Sequence, residues 1–366
     1  MPRRKFGRNG GGYPRGMAVE KVLLAQPRGF CAGVEMAIKA LSWMIRVFEP
    51  PVYCYHEIVH NRLVVDRFRE LGVVFVDDVD EVPDGAPLML SAHGSAPEIV
   101  AAARERDRFV VNAVCPLVTK VHHEAKVRAG KGFTILYVGH RGHDEASGTL
   151  AVAPDAIRLV EDDDDLERVL PTVADPSKVA LLAQTTLSMH DWEGIMERAQ
   201  GEYPDLWTAA RGDLCFATTN RQAALQAIAA EADAIVVIGS ANSSNTLALA
   251  KVAKAAGCPV VLRVDGPEEI ADDALGDAKV VGVTAGASAP EDLVQAVIAR
   301  LSPTEGVVPV HVTDEDEYFP PPRELRELMG ALDTVAPIVF GGALPATPQG
   351  AFTDDRRLDA SSVLAG

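Results

Sequence analysis

Three cysteines hold matching places along the chain. The stretches "GFCAGVEMAI", "AVCPLVTKVH" and "DLCFATTNRQ" put Cys31, Cys115 and Cys215 each where an apolar, strand-like run gives way to a helix-like one. Counting 25 residues beyond each cysteine reaches His56, His140 and Ser240, which end further apolar runs: "VYCYH", "ILYVGH" and "VVIGS". Each stretch then carries a second polar strand end, at "SAHGSAP", "AQTTLS" and "TAGASAP". Self-similarity at this spacing predicts one supersecondary unit used three times.

The runs between these points fit that reading. Apolar segments such as "APLMLSAH", "KVALLAQTT", "CPVVLRV" and "KVVGVTAG" alternate with helical stretches over 61–71, 221–231 and 245–256. Such alternation predicts an α/β protein with mainly parallel sheets. The expected units are 21–108, 109–205 and 206–302. Residues 1–20, rich in Arg and Gly, are expected to be disordered. Residues 303–366 are expected to form an acidic, Pro-rich closing arm ("VTDEDEYFPPPREL") and a flexible tail of about 35 residues. Ligands in open α/β sheets collect at the carboxyl ends of strands. Three sets of polar strand ends then face one centre around a pseudo-threefold axis.

Composition narrows the functional classes. The formal net charge of −17 argues against general nucleic-acid binding. No uninterrupted apolar stretch approaches the roughly 20 residues that span a bilayer, and "MPRRKFGRNGGGYPRG" lacks the apolar core of an export signal. A cytoplasmic protein is expected. Five cysteines, an odd number, do not read as a disulfide framework in such a chain.

A cysteine at a helix N-terminus is placed where the helix dipole favours a thiolate. Three thiolates from three junctions suit an iron–sulfur cluster with one iron open to substrate. They equally suit a catalytic zinc with one open position, and soft ligands alone do not choose between the two. Ala32 and Gly33 would let a bulky group approach the backbone. Cys54 and Cys258 fall outside the repeat and read as core residues. His56, His93 and His143 sit at strand ends or in the following loops, and Ser243, Ser244, Asn245 and Ser288 join them as hydrogen-bonding groups suited to phosphate oxygens. His60, His122, His123, His190 and His311 read as structural. Glu145, in a Gly-flanked loop, is a candidate proton donor whose pKa burial would raise, with Thr185 or Thr186 passing the proton on.

Nine stretches in order carry a family resemblance: "QPRGFCAGV", "HEIVHN", "SAHG", "CPLVTKVH", "GHRGHDEASGT", "QTTLS", "CFATTNRQ", "GSANSSNT" and "VTAGASAP". From about Val22 to Leu328 the chain closely resembles the 4-hydroxy-3-methylbut-2-enyl diphosphate reductase family (IspH/LytB). The resemblance implies three pseudo-equivalent α/β domains with mainly parallel sheets around a central 4Fe–4S cluster. Cys31, Cys115 and Cys215 would bind it, leaving the fourth iron open. It further implies reductive dehydroxylation of (E)-4-hydroxy-3-methylbut-2-enyl diphosphate to isopentenyl and dimethylallyl diphosphate, the last step of the non-mevalonate isoprenoid pathway. Glu145 would be the proton source with Thr185 assisting, and His56, His93, His143, Ser243, Ser244, Asn245 and Ser288 would hold the diphosphate. Electrons would come from ferredoxin or flavodoxin, with no nucleic-acid or membrane partner. One departure is the loop "DEASGT", where the family more often has Pro before the Glu and a bulkier pair after it.

Rival readings make separate expectations. A quinolinate-synthase-like three-cysteine dehydratase would take up no electrons per turnover. A non-catalytic iron–sulfur redox sensor would not need Glu145 and Thr185. A zinc hydrolase would be colourless, whereas a cluster gives broad visible absorption.

Overall fold

The computed structural model describes residues 19–209, 213–340, 355–356 and 358–364. Its strands form three sheets in which every pairing is parallel. The chain opens with β1 (Lys21–Gln26). The first sheet takes β2 (Val52–Tyr55), β3 (Val73–Val76), β4 (Leu88–Leu90) and β5 (Val110–Asn112), in the order β3-β2-β4-β5. The second takes β6 (Thr134–Val138), β7 (Ile157–Val160), β8 (Val179–Ala183) and β9 (Trp207–Thr208), in the order β7-β6-β8-β9. The third takes β10 (Ala234–Ile238), β11 (Val260–Val264), β12 (Val280–Ala285) and β13 (Val307–His311), and it also recruits β1. Its order is β11-β10-β12-β1-β13.

The three orders are one pattern, with β1 in the third sheet standing where β5 and β9 stand in the others. The strand ahead of each cysteine therefore completes one sheet, and the helix after it carries the chain to the next. Those helices are Ala32–Val47, Pro116–Gly130 and Phe216–Ala229. This differs from the expected boundaries 21–108, 109–205 and 206–302: β1 lies in the third sheet, β5 in the first and β9 in the second. The physical reason is the apolar run in β1. Val22 to Ala25 are all buried, so this strand needs cover on both faces and on both edges. Pairing with β12 and β13 supplies it.

Alternation builds two cores per sheet. In β10, Ile235 and Val237 face Leu225 and Ile228 of the helix after Cys215, while Val236 and Ile238 face Val294 and Val297 of the helix Glu291–Leu301. The Ala32–Val47 helix packs Ile38, Leu41 and Met44 onto Cys54 and Met89 of the first sheet. No helix among the described residues is long and apolar enough to cross a membrane.

The two ends behave differently from the expectation where they are described. Of the N-terminal extension expected to be disordered, only Val19 and Glu20 are described, and Val19 is buried; residues 1–18 lie outside the described residues. The helix Arg323–Phe340 begins in the expected closing arm, and the helix Ala360–Leu364 lies in the stretch expected to be a flexible tail. Leu325, Met329, Ala360 and Leu364 join the core around Ile38 and Leu41. Leu325 and Met329 are four apart, which stacks them on one helix face. Residues 341–354, 357 and 365–366 lie outside the described residues. Leu325→Ala should cost about 2–5 kcal/mol in denaturant unfolding. A loss below about 0.5 kcal/mol, the scale of a surface substitution, would show that the arm is not part of the core.

Candidate active site

Cys31, Cys115 and Cys215 are each the N-cap residue of the helix that follows. Their thiols meet at one wall of a single cavity of about 100 Å³. Gly33 is the contact point. A Cβ there would stand 2.7 Å from Cys115 Sγ and 4.0 Å from Cys31 Sγ, so any side chain would displace a thiol. Cys215 Sγ lies 3.0 Å from Thr218 Oγ1 and accepts from the Thr218 backbone N–H at 3.2 Å. At Cys115 and Cys215 burial outweighs the expected helix-dipole effect. Burial, and the neighbouring thiols, push Cys115 upward and Cys215 up to about 12. Three crowded thiols of this kind give up their protons to a metal, which replaces the lost positive charge. Cys54 is fully buried beneath the first sheet, away from this wall.

The loops are tied together by Arg221, which is fully buried. Its Nε and Nη2 donate to the carbonyl of Gly29 at 3.1 and 2.8 Å, and Nη2 also reaches Phe30 at 3.2 Å. Nη1 donates to Ala217 at 2.9 Å and to Glu315 Oε1 at 2.9 Å. One guanidinium thus joins the turn before Cys31, the helix after Cys215 and the C-terminal arm. Four residues along that arm, Phe319 lines the cavity.

Glu145 is buried on the cavity wall, in the first turn of the helix Asp144–Val152 that His143 caps. Its Oε1 accepts from the Thr185 backbone N–H at 2.7 Å and its Oε2 from the Thr185 hydroxyl at 2.9 Å. Burial outweighs these two bonds and, with Asp213 nearby, raises its pKa to about 7. The group therefore holds an exchangeable proton near neutrality. Thr186, also on the cavity wall, accepts instead from Gln184, which also donates to Ser244 and bridges the second and third sheets.

The far wall carries imidazoles. His60 and His93 stack with centroids 3.9 Å apart, and His143 stands edge-on to both at 5.1 and 5.9 Å. Burial and the neighbouring rings hold His93 well below the usual range and bring His143 down to about 4. His56 does not line the cavity. Its backbone turns into the left-handed region, φ 58°, and its Nδ1 meets Asp144 Oδ1 at 2.9 Å. The histidine read as structural, His60, takes the cavity position instead. In "HEIVHN" the chain must turn at the end of β2 before it can face inward, and only the second histidine lies beyond the turn.

Ser243, Ser244, Asn245 and Ser288 all line the cavity. Ser243 caps the helix Ser244–Ala255 by accepting from Thr246 N–H. Ser288 Oγ donates to the His60 carbonyl at 2.9 Å, which fixes the histidine loop. Asn245 is already engaged at both ends, accepting from Ala287 N–H at 2.9 Å and donating to Thr218 Oγ1 at 3.3 Å. Every residue expected at the site lines this one cavity except His56, whereas His60, Phe319 and the linking roles of Arg221 and Gln184 were not expected. The paired histidines of "HEIVHN" were the one signal available for any of them.

A family model described as LytB protein matches residues 22–302. A 4-hydroxy-3-methylbut-2-enyl diphosphate reductase of Rhodopirellula baltica is 48% identical over 312 residues, covering 85% of this chain and 97% of that relative. The enzyme of the same name from Mycobacterium ulcerans is 45% identical, covering 84% of this chain and 92% of its own length. Among solved structures, the E-1-hydroxy-2-methyl-but-2-enyl-4-diphosphate reductase of Plasmodium falciparum superposes with a TM-score of 0.82 at 30% identity, over 86% of this chain and 99% of that one. Sequence, sheet order and site all lead to the same place: the chain belongs to the LytB family and is an oxidoreductase.

Proposed function

We propose that this chain reduces (E)-4-hydroxy-3-methylbut-2-enyl diphosphate to isopentenyl and dimethylallyl diphosphate, the last step of the non-mevalonate isoprenoid pathway, with a 4Fe–4S cluster held by Cys31, Cys115 and Cys215. The observation that carries the reading is a single cavity lined by all three N-cap cysteines and by a buried, protonatable Glu145. The names of the relatives supply the substrate class. Three thiols with no fourth cysteine on the wall suit a cluster with one open iron, and Gly33 leaves the space such a group needs. When bound, the cluster supplies the electrons and an iron open to the substrate's hydroxyl.

In the net reaction the C–O bond breaks, two electrons and two protons enter, and one water leaves. Thr185 N–H occupies Glu145 Oε1, so the transferable proton belongs on Oε2, next to the Thr185 hydroxyl. That hydroxyl accepts the proton from Oε2 and turns its own hydrogen toward the cavity. His60, His93 and His143, with Ser243, Ser244 and Ser288, receive the diphosphate beside a helix N-terminus. Asn245 orients the Cys215 helix through Thr218 as well as facing the ligand. Phe319 on the arm excludes water from the reacting end. A ferredoxin or flavodoxin in the cytoplasm fits the one-electron chemistry.

Cys31→Ser, Cys115→Ser and Cys215→Ser should each abolish turnover and sharply lower iron content, while Cys54→Ala keeps both. Retention of a full cluster in any of the three would refute the ligand assignment. Gly33→Ala should also lose iron, with unchanged far-ultraviolet circular dichroism; iron at the parent level would show that the Cys115 thiol is free to move.

Turnover should fall as pH rises through about 7, because deprotonation of Glu145 removes the donor. Glu145→Gln should keep its iron and its substrate affinity, slow at least about a hundredfold, and lose that alkaline limb. A variant within about threefold of the parent, far short of what general acid catalysis contributes, would rule out the proton-donor role.

A further inference from the structure

No lysine or arginine lines the cavity among the described residues, so a diphosphate bound there meets only imidazoles able to carry positive charge. Two of them are poised for it. His60 Nε2 and His93 Nδ1 are buried and have no hydrogen-bond partner. Both face one carboxylate oxygen: Asp144 Oδ2 lies 3.9 Å from His60 Nε2 and 3.8 Å from His93 Nδ1. Asp144 Oδ1 is held by His56 Nδ1 at 2.9 Å. Asp144 itself does not line the cavity, so it meets a ligand only through the stacked rings.

We propose that Asp144 is a positioning residue that makes ligand binding proton-coupled: a diphosphate entering the cavity draws a proton from solvent onto the His60–His93 pair, and the Asp144 carboxylate is the counter-charge that holds it there. The inference rests on the diphosphate reading of the cavity given above. The other charged and titratable neighbours do not replace Asp144. Glu57 meets the opposite nitrogen of His60, Nδ1, at 3.5 Å. His143 stands edge-on to both rings with His140 nearby, and both add only like charge when protonated. Asp77 acts on His56 and, with Asp78, on Tyr55 beside it. Burial alone would raise the Asp144 carboxyl, but the His56 hydrogen bond and the surrounding imidazoles keep it below the usual range and charged. Burial and neighbouring rings keep His93 neutral until an anion arrives. A ring flanked by a diphosphate on one side and a carboxylate on the other then favours its charged form.

Calorimetric titration of the cluster-loaded protein with isopentenyl diphosphate tests this, in two buffers of different ionisation enthalpy at about pH 8. There the free ligand's terminal phosphate, with a pKa of about 6, has lost its proton, so protons counted move from solvent to protein. Between about half a proton and one proton should be taken up per ligand, with Kd weakening toward about tenfold per pH unit as pH rises. Asp144→Asn should reduce the uptake by at least about half and shift the pH dependence of Kd to lower pH. Binding without proton uptake in the parent protein overturns the proposal whether or not the variant folds. Unchanged uptake in Asp144→Asn does the same, and so does a requirement for added zinc, which would make His60, His93 and Asp144 a metal site. Failure of isopentenyl diphosphate to bind at all would overturn the diphosphate reading itself, and this proposal with it.

Discussion

Everything at the centre depends on the parallel pairing of β1 with β12 and β13. Lys21 to Leu24 run beside Val280 to Val283, and Val22 to Gln26 beside Val307 to His311. Without that pairing, Cys31 would sit on an untethered segment, and two thiols would face an open side. With it, the third sheet gains the strand that the first and second already possess, and three equivalent junctions close into a ring. Arg221 secures the closure from within, binding the Gly29 and Phe30 carbonyls just ahead of Cys31. A buried guanidinium with its donors satisfied and a carboxylate partner at Glu315 is costly to disturb, because removing either member strands the other.

The ring also sets the chemistry of what it encloses. Excluding water raises Glu145 to about 7 and holds His93 and His143 neutral, opposite shifts from one cause. These shifts draw Glu145, His93 and His143 toward their neutral forms, in a chain with a formal charge of −17. On the function proposed above, the cavity's charge would be supplied on demand, by metal at the thiol wall and by protons at the imidazole wall. Preorganised but uncharged groups of this sort cost less to bury than fixed ions would.

Much of this was legible in the sequence because it depends on local pattern. A cysteine at each strand–helix junction, repeated at matched offsets, pointed to the α/β class and to three thiols that line one cavity. Glu145 and Thr185 sat at strand or loop ends that a parallel sheet must bring together. What local pattern cannot carry is the identity of a strand's partners. Nothing in "KVLLAQ" tells it to pair with the distant "VVGVTA" rather than with its sequence neighbours, so the unit boundaries were drawn one strand out. That His60 rather than His56 lines the cavity is hidden for a related reason. Both lie in one short loop, and the left-handed backbone at His56 decides which faces inward. The packing of Ala360 and Leu364 into the core of the first helix was likewise hidden, since the weak periodicity of the last stretch reads as tail.

The position of β1 has a consequence for how the molecule is made. On a ribosome, β1 emerges before the other described strands, and its partners β12 and β13 emerge more than 250 residues later. Until then the first two sheets can form from contiguous sequence, but β1 must wait unpaired, with an apolar run exposed. If Cys31 is a ligand as proposed, the set could not be complete before β12 and β13 are made, and the interval until then is when the early strand is most exposed to mispairing and its thiol to oxidation.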